Sequence, residues 1–285
     1  MARKSGNKRL FVILLISIFG LALYLFLFPD VTRLKKENPG KTSFMKYREE
    51  EWRHQGKKYK IRQKWVPLSQ ISPYLKKAVI IAEDDKFWSH EGFDYEAIQQ
   101  AIEEDIKARR FKLGGSTISQ QLAKNLYLSP AKNPLRKIRE AILTWKIERT
   151  LSKRRILEIY LNVVEWGDRG IFGAEMASRH YYGKSAADLT PEEAARLSAV
   201  LPNPRKYNPL GRSRYVTHRA NLVYKIMVRR GIVIPEYEEI QEEIEGDAEA
   251  ENEADTEITQ ETESILETEE LPEAELSTDT ETQEE

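Results

Sequence analysis

Apolar and polar positions divide the chain into four stretches of different character. Residues 10–28 read LFVILLISIFGLALYLFLF, nineteen uncharged and mostly apolar residues in a row. Residues 29–65 mix Lys, Arg and Glu with scattered apolar residues in no clear period, and read as a basic linker. From Ile71 to about Arg230 apolar residues recur at helical spacing, interrupted by Gly and Pro. In LSKRRILEIYLNVVEW they fall at 156, 159, 160 and 163, the i, i+3, i+4, i+7 pattern of one buried helix face. LTPEEAARLSAVLP supplies Thr190 as an N-cap, Pro191 at the first helical position and Glu193 to complete a capping box, and Pro202 stops the helix. Nothing alternates like a set of strands and nothing repeats, so the predicted body is mainly α. Residues 236–285 are rich in Glu and Thr and poor in apolar residues. Such a segment cannot bury enough surface to offset the entropy of ordering. It reads as a disordered acidic tail, or as an acidic helical stretch folding back on the body.

The first stretch is a membrane candidate. At about 1.5 Å per residue it just crosses a hydrocarbon core of roughly 30 Å. It is longer than a cleaved leader's apolar region, and PDVTRLKK offers no small-residue cleavage site, so it reads as an uncleaved signal anchor. Basic residues flank both ends: Arg3, Lys4, Lys8 and Arg9 before, Arg33, Lys35, Lys36 and Lys41 after. The short 1–9 segment is expected in the cytoplasm, which puts the body on the far side of the membrane.

Charge sharpens the picture. The formal net charge of −1 hides a division, because residues 236–285 hold 23 of the 46 acids and no Lys or Arg. The first 235 residues therefore set 45 bases against 23 acids, about +22. A body that basic seeks anions: nucleic acid, anionic headgroups or phosphorylated substrates. The chain has no cysteine, which excludes disulfides and thiolate metal sites.

Three segments carry candidate chemistry. AVIIAEDDKFWSHEGFD, residues 78–94, ends an apolar run in Glu83, Asp84 and Asp85. Glu83 lies nearest the apolar residues; burial and the neighbouring Asp84 would raise its pKa, nearby Lys residues would lower it, and a tuned carboxylate can take a proton from a sugar hydroxyl. His90 reads as a loop-bonding residue, since no second His or Cys lies at ligand spacing, and Asp94 as the cap of a helix starting near Tyr95. In RFKLGGSTISQQLAKNLYL, Ser116 or Thr117 can cap a helix on which Ser116, Gln120 and Lys124 share a row beside Thr117 and Gln121. Ile118, Leu122 and Leu126 take another face. Neutral hydrogen-bonding groups ending in one Lys suit a sugar or diphosphate lying along the helix, or a plain polar face. In NPLRKIREAILTWKIERTL, Arg136 and Lys137 stand within a turn of Glu140. That is a surface ion pair, or a second acid holding cations around a substrate phosphate. Two acids, Glu83 and Glu140, suit enzymes that act on glycosidic bonds.

EDDKFWSHEGFD, GGSTISQQLAKN, RKIRE and KRRILEIYLN, in this order and spacing, resemble the signature motifs of the peptidoglycan glycosyltransferase family, which polymerises lipid II. The likeness covers residues 67–210, and the acidic tail has no room for a transpeptidase domain, so the chain resembles a monofunctional, biosynthetic member. The resemblance implies a lysozyme-like helical domain over 66–235 with a smaller membrane-contacting lobe. It implies Glu83 as the base that deprotonates the acceptor 4-hydroxyl, and Glu140 as an assisting acid at the donor. It implies Lys124, Arg136 and Lys137 beside the donor diphosphate, with Ser116, Gln120 and Gln121 touching substrate. Glu158, Tyr160 and Asn162 would support the cleft. Expected partners are lipid II, the growing lipid-linked glycan, the membrane and other cell-wall synthases, rather than nucleic acid. No cofactor is required by the residues, though Mg²⁺ or Mn²⁺ assists some members at the diphosphate. Phe111, Leu113, Leu126 and Tyr127 belong either to the membrane lobe or to the core. A lytic transglycosylase or muramidase, or a silent membrane-tethered scaffold, are the competing readings. The cluster of diphosphate-seeking cations argues against the first, the intact acids against the second.

Overall fold

The computed structural model describes residues 11–20, 29–96, 99, 115–130 and 134–234. The expected cytoplasmic segment, residues 10 and 21–28 of the expected anchor, Phe111, Leu113 and the acidic tail lie outside them. Residues 11–20 are helical and exposed. No helix among the described residues is long and apolar enough to cross a membrane.

The body is mainly helical with one small sheet. Helix α1 runs Ser43–His54, α2 Pro73–Glu83, α3 Ile118–Tyr127 and α4 Pro134–Thr150. Then come α5 Lys153–Val163, α6 Ala174–Tyr182, α7 Pro191–Val200 and α8 Arg214–Arg229. Helix α3 sits at the centre, packed by α1, α4 and α5. Its Ile118 and Leu122 are wholly buried and Leu126 nearly so, so Leu126 belongs to the core. Helices α2, α7 and α8 form a second packed group. The start of α7 follows the pattern: Thr190 accepts from Glu193 N–H while the Glu193 carboxylate accepts from Thr190 N–H.

Strands β1 (Arg62–Gln63), β2 (Glu165–Gly167) and β3 (Ile171–Phe172) form a sheet in the order β1-β3-β2. β3 pairs parallel to β1 and antiparallel to β2. Strands of two or three residues are too short to leave an alternating pattern. The carbonyl of Gly170, a residue at φ +88°, accepts from Arg62 N–H at 2.7 Å. A Cβ there would stand 2.3 Å from the Lys60 carbonyl oxygen, so glycine is required for the approach.

The reading of residues 29–65 as a linker is corrected. They contain α1, capped by Thr42 and seated on Met45 and Trp52, both buried, and also β1. The Arg48 guanidinium reaches across to Glu165 at 2.9 Å. Two core anchors spaced i, i+7 among charged neighbours hold a helix without producing a visible apolar stripe.

The cleft-supporting residues of α5 tie this segment to the body. Asn162 is fully buried; its amide donates to the carbonyls of Val66 and Glu158 and accepts from Val66 N–H, at 2.8–3.0 Å. Glu158 accepts from Leu68 N–H at 3.0 Å. Asn162→Ala strands both backbone groups of Val66, and we expect it to cost about 3 kcal/mol, read as a lower urea midpoint at unchanged slope.

Candidate active site

Glu83 is the last residue of α2, a helix started by the Ser72 cap and Pro73 and ended where Asp84 leaves helical geometry at φ −165°. Its side chain is 9% exposed. The Gln121 amide donates to one Glu83 oxygen at 2.8 Å, and the Gln121 carbonyl oxygen accepts from the buried Tyr160 hydroxyl at 2.9 Å. That pair of bonds fixes which way the Gln121 amide points. Arg219 on α8 donates to the Ala82 carbonyl at 2.8 Å and lies 3.4 Å from the other Glu83 oxygen. Burial pushes the Glu83 carboxyl above the usual glutamate range; the Gln121 bond, Arg219 and Lys124 pull it back only in part. Burial also raises the Tyr160 hydroxyl well above its ordinary value, with Glu83 and Asp84 adding to it. It therefore stays a donor.

Asp84 is a positioning residue. Its buried carboxylate accepts from Ile118 N–H at the first turn of α3, at 2.8 Å, and from His90. A carboxylate there also meets the positive end of the helix dipole. Because Gly92 N–H donates to His90 Nδ1 at 2.9 Å, the ring proton sits on Nε2 and faces Asp84. His90 thus bonds its own loop. Asp85 is half exposed and pairs with Arg230. A helix does begin at Tyr95, after Asp94.

Helix α3 brings the second segment to the same place. Thr117 is its N-cap, and the Gln120 side chain closes the capping box on Thr117 N–H at 3.0 Å. Gln120 is 4% exposed, which corrects its expected place on the substrate-facing row: the N3 position of a capping box turns the side chain back on the helix start. Ser116 is exposed and lines a recess of about 300 Å³ with Glu83, Asp84 and Asp94. Gln121 and Lys124 line another of about 180 Å³, with Arg48, Asn125 and Arg205. The Glu83–Gln121 hydrogen bond therefore joins the walls of two recesses.

Lys124 links the two acids. Burial lowers its ammonium pKa, Glu140 and Glu83 raise it, and Arg136 and Lys137 lower it again. Glu140 on α4 is 3% exposed and holds Arg136 at 3.0 Å and Lys137 in close contact. A carboxylate this deep is more than a surface ion pair. The expected residues thus gather around Glu83 and Glu140, except Gln120. Arg219, Arg48 and Asn125 were missed; Arg219 stands 136 positions from Glu83 in a segment with no chemical pattern of its own.

Among the described residues no group of three or more His, Asp or Glu is placed to hold a metal ion. The nearest carboxylates are engaged, Asp84 by Ile118 and His90, Glu140 by Arg136 and Lys137, Asp85 by Arg230. They do not fit a resident cation.

Residues 50–228 match the family model described as Transglycosylase. A protein of Nitrosospira multiformis named biosynthetic peptidoglycan transglycosylase is 47% identical over 225 residues, 79% of this chain and 96% of its own length. Proteins of the same name from Dechloromonas aromatica and Azoarcus sp. are 57% identical over 171 residues and 53% over 195. These alignments cover 60% and 68% of this chain, and 74% and 84% of the relatives.

Proposed function

We propose that this chain, which belongs to the transglycosylase family, is a peptidoglycan glycosyltransferase that polymerises lipid II in cell-wall synthesis. The observation that carries the reading is Glu83: a buried, hydrogen-bonded carboxylate of raised pKa, in the field of a Lys124 whose charged form burial disfavours and Glu140 and Glu83 favour. In its ionised form Glu83 takes the proton from the 4-hydroxyl of the acceptor N-acetylglucosamine. The freed oxygen attacks C1 of the donor N-acetylmuramic acid from the face opposite the leaving group. The C1–O bond to the diphosphate breaks, undecaprenyl diphosphate departs, and the anomeric centre inverts. Lys124, Arg136 and Lys137 stabilise the departing anion, and Glu140 holds the last two cations in place. Gln121 and Arg219 orient Glu83, and Ser116 offers its hydroxyl to the sugar. A lysozyme-like helical domain is part of this reading, and a Mg²⁺ or Mn²⁺ ion, if used, rides on the substrate's own diphosphate.

The test is purified chain with labelled lipid II, and separately with finished glycan. Polymer from lipid II is expected. Cleavage of finished glycan without polymerisation would make it a lytic enzyme, and neither activity a scaffold.

The anchor at 10–28 and an extracytoplasmic body at the inner membrane complete the proposal. Lys146 donates to the Pro29 carbonyl at 3.3 Å, so the residue that follows the apolar run meets α4. On α4, Leu135, Ile138 and Trp145 are 66%, 59% and 50% exposed, on the side opposite buried Glu140, with Arg149 over the Trp145 ring. Apolar and aromatic residues with cations suit a headgroup boundary. The chain lacks cysteine, so a dye on Ile138→Cys reports one position. In vesicles its emission should shift to the blue and be quenched by brominated lipid, while a dye on Leu210→Cys stays in water; equal behaviour would contradict the reading.

A further inference from the structure

A third recess, of about 220 Å³, shares no lining residue with the two at Glu83. Its floor is apolar, made by Pro73, Ile80 and Leu157. Its rim is cationic, with Lys76 and Lys77 from α2 and Arg154 from α5. Trp88 closes one side, half exposed and held edge-on against the buried Phe87.

The three cations stand out because no acid among the described residues pairs with them. Arg154's chain neighbours are paired, Lys153 with Glu148 and Arg155 with Glu158, and Lys86 with Glu96. Among the described residues no carboxylate pairs with Lys76, Lys77 or Arg154. The Lys76 ammonium has only the neutral carbonyl of Leu68, at 3.2 Å. Burial first, and Arg154 second, hold that ammonium below its ordinary pKa. Three cations gathered round an apolar floor repel one another until an anion neutralises them.

The occupant must therefore be acidic and carry an apolar group. A bilayer presents a flat field of anions, whereas these cations line a concave recess of about 220 Å³. Exposed Trp88 adds the amphipathic aromatic wall common at protein interfaces. We propose that this recess binds an acidic peptide segment of a partner protein, one apolar side chain seated on Pro73, Ile80 and Leu157 and flanking carboxylates paired with Lys76, Lys77 and Arg154. The partner would bind α2 one turn before Glu83 and leave both catalytic recesses open.

The test uses the full chain in neutral-lipid nanodiscs and labelled short peptides of Asp and Glu around a central Leu, Ile, Phe or Trp. Saturable binding should appear by anisotropy for at least one, and the peptide should alter Trp88 fluorescence, an effect absent from Trp88→Phe. Replacing the central residue by Ser, or the chain's Lys77 and Arg154 both by Glu, should weaken binding about tenfold or more. The double variant should still melt and polymerise like the parent. Absence of saturable binding overturns the proposal. So does binding indifferent to both changes, which is diffuse charge attraction. Binding of phosphatidylglycerol vesicles or inorganic phosphate that depends on Lys77 and Arg154, in place of the peptides, overturns it in favour of a lipid or phosphate site.

Discussion

Glu83→Gln is expected to lower lipid II polymerisation roughly 10²- to 10⁴-fold, the usual contribution of a positioned general base. The amide matches the carboxylate in shape, and its single oxygen can keep the 2.8 Å bond from Gln121, while its NH2 replaces the oxygen that lies 3.4 Å from Arg219 and gives up that weaker contact. It cannot take a proton. The fold should not suffer. The folded-state pKa of Glu83 is raised by burial, so the folded protein holds that proton more tightly than the unfolded chain does. Ionised Glu83 therefore subtracts stability once pH exceeds its unfolded value, and fully so above its folded one. The Gln variant should melt at the parent temperature or above it in neutral buffer, a cost of function visible as a gain in stability. A variant that polymerises normally, or one that melts far below the parent, would contradict this account.

Lys124→Met should cost roughly 10²- to 10³-fold, by analogy with removal of one charge-stabilising donor. Methionine fills similar space, and Lys124 is only partly exposed between buried neighbours Ala123 and Asn125, so the loss is electrostatic rather than steric. The ammonium feels Glu140 and Glu83 together; without it both acids face less positive charge. If it acts on the departing diphosphate, kcat should fall more than KM rises, because the interaction strengthens as the anion forms. A change confined to KM would mean that Lys124 merely binds the ground state.

The sequence made some of this legible, for physical reasons that can be named. Where a local rule governs, the reading survived: the cap and Pro191 of α7, the buried row Ile118, Leu122 and Leu126, and the place of Glu83 where an apolar run meets acids. Local rules also misled. Thr117 and Gln120 stand three apart, the spacing of a capping box, but Gln120 also falls on the i, i+4 row with Ser116 and Lys124, and the spacing alone does not say which of the two its side chain serves. Residues 29–65 failed differently, since α1 is held by Met45, Trp52 and the distant Glu165, and tertiary contacts leave no period. Arg219 reaches Glu83 only because α8 packs on α2. Nothing near Arg219 in the chain announces that meeting.

The central claim is that Glu83 works as the base in its ionised form. The pH dependence of kcat/KM for polymerisation tests it most directly, compared between the parent and the Glu83→Gln variant. The parent should gain activity as pH rises through an apparent pKa above the usual glutamate value of 4.5, then level off as Glu83 ionises. The residual activity of the variant should lack that limb. A limb that persists in the variant at the same position, or a parent profile flat across that range, would contradict the assignment of Glu83 as the base.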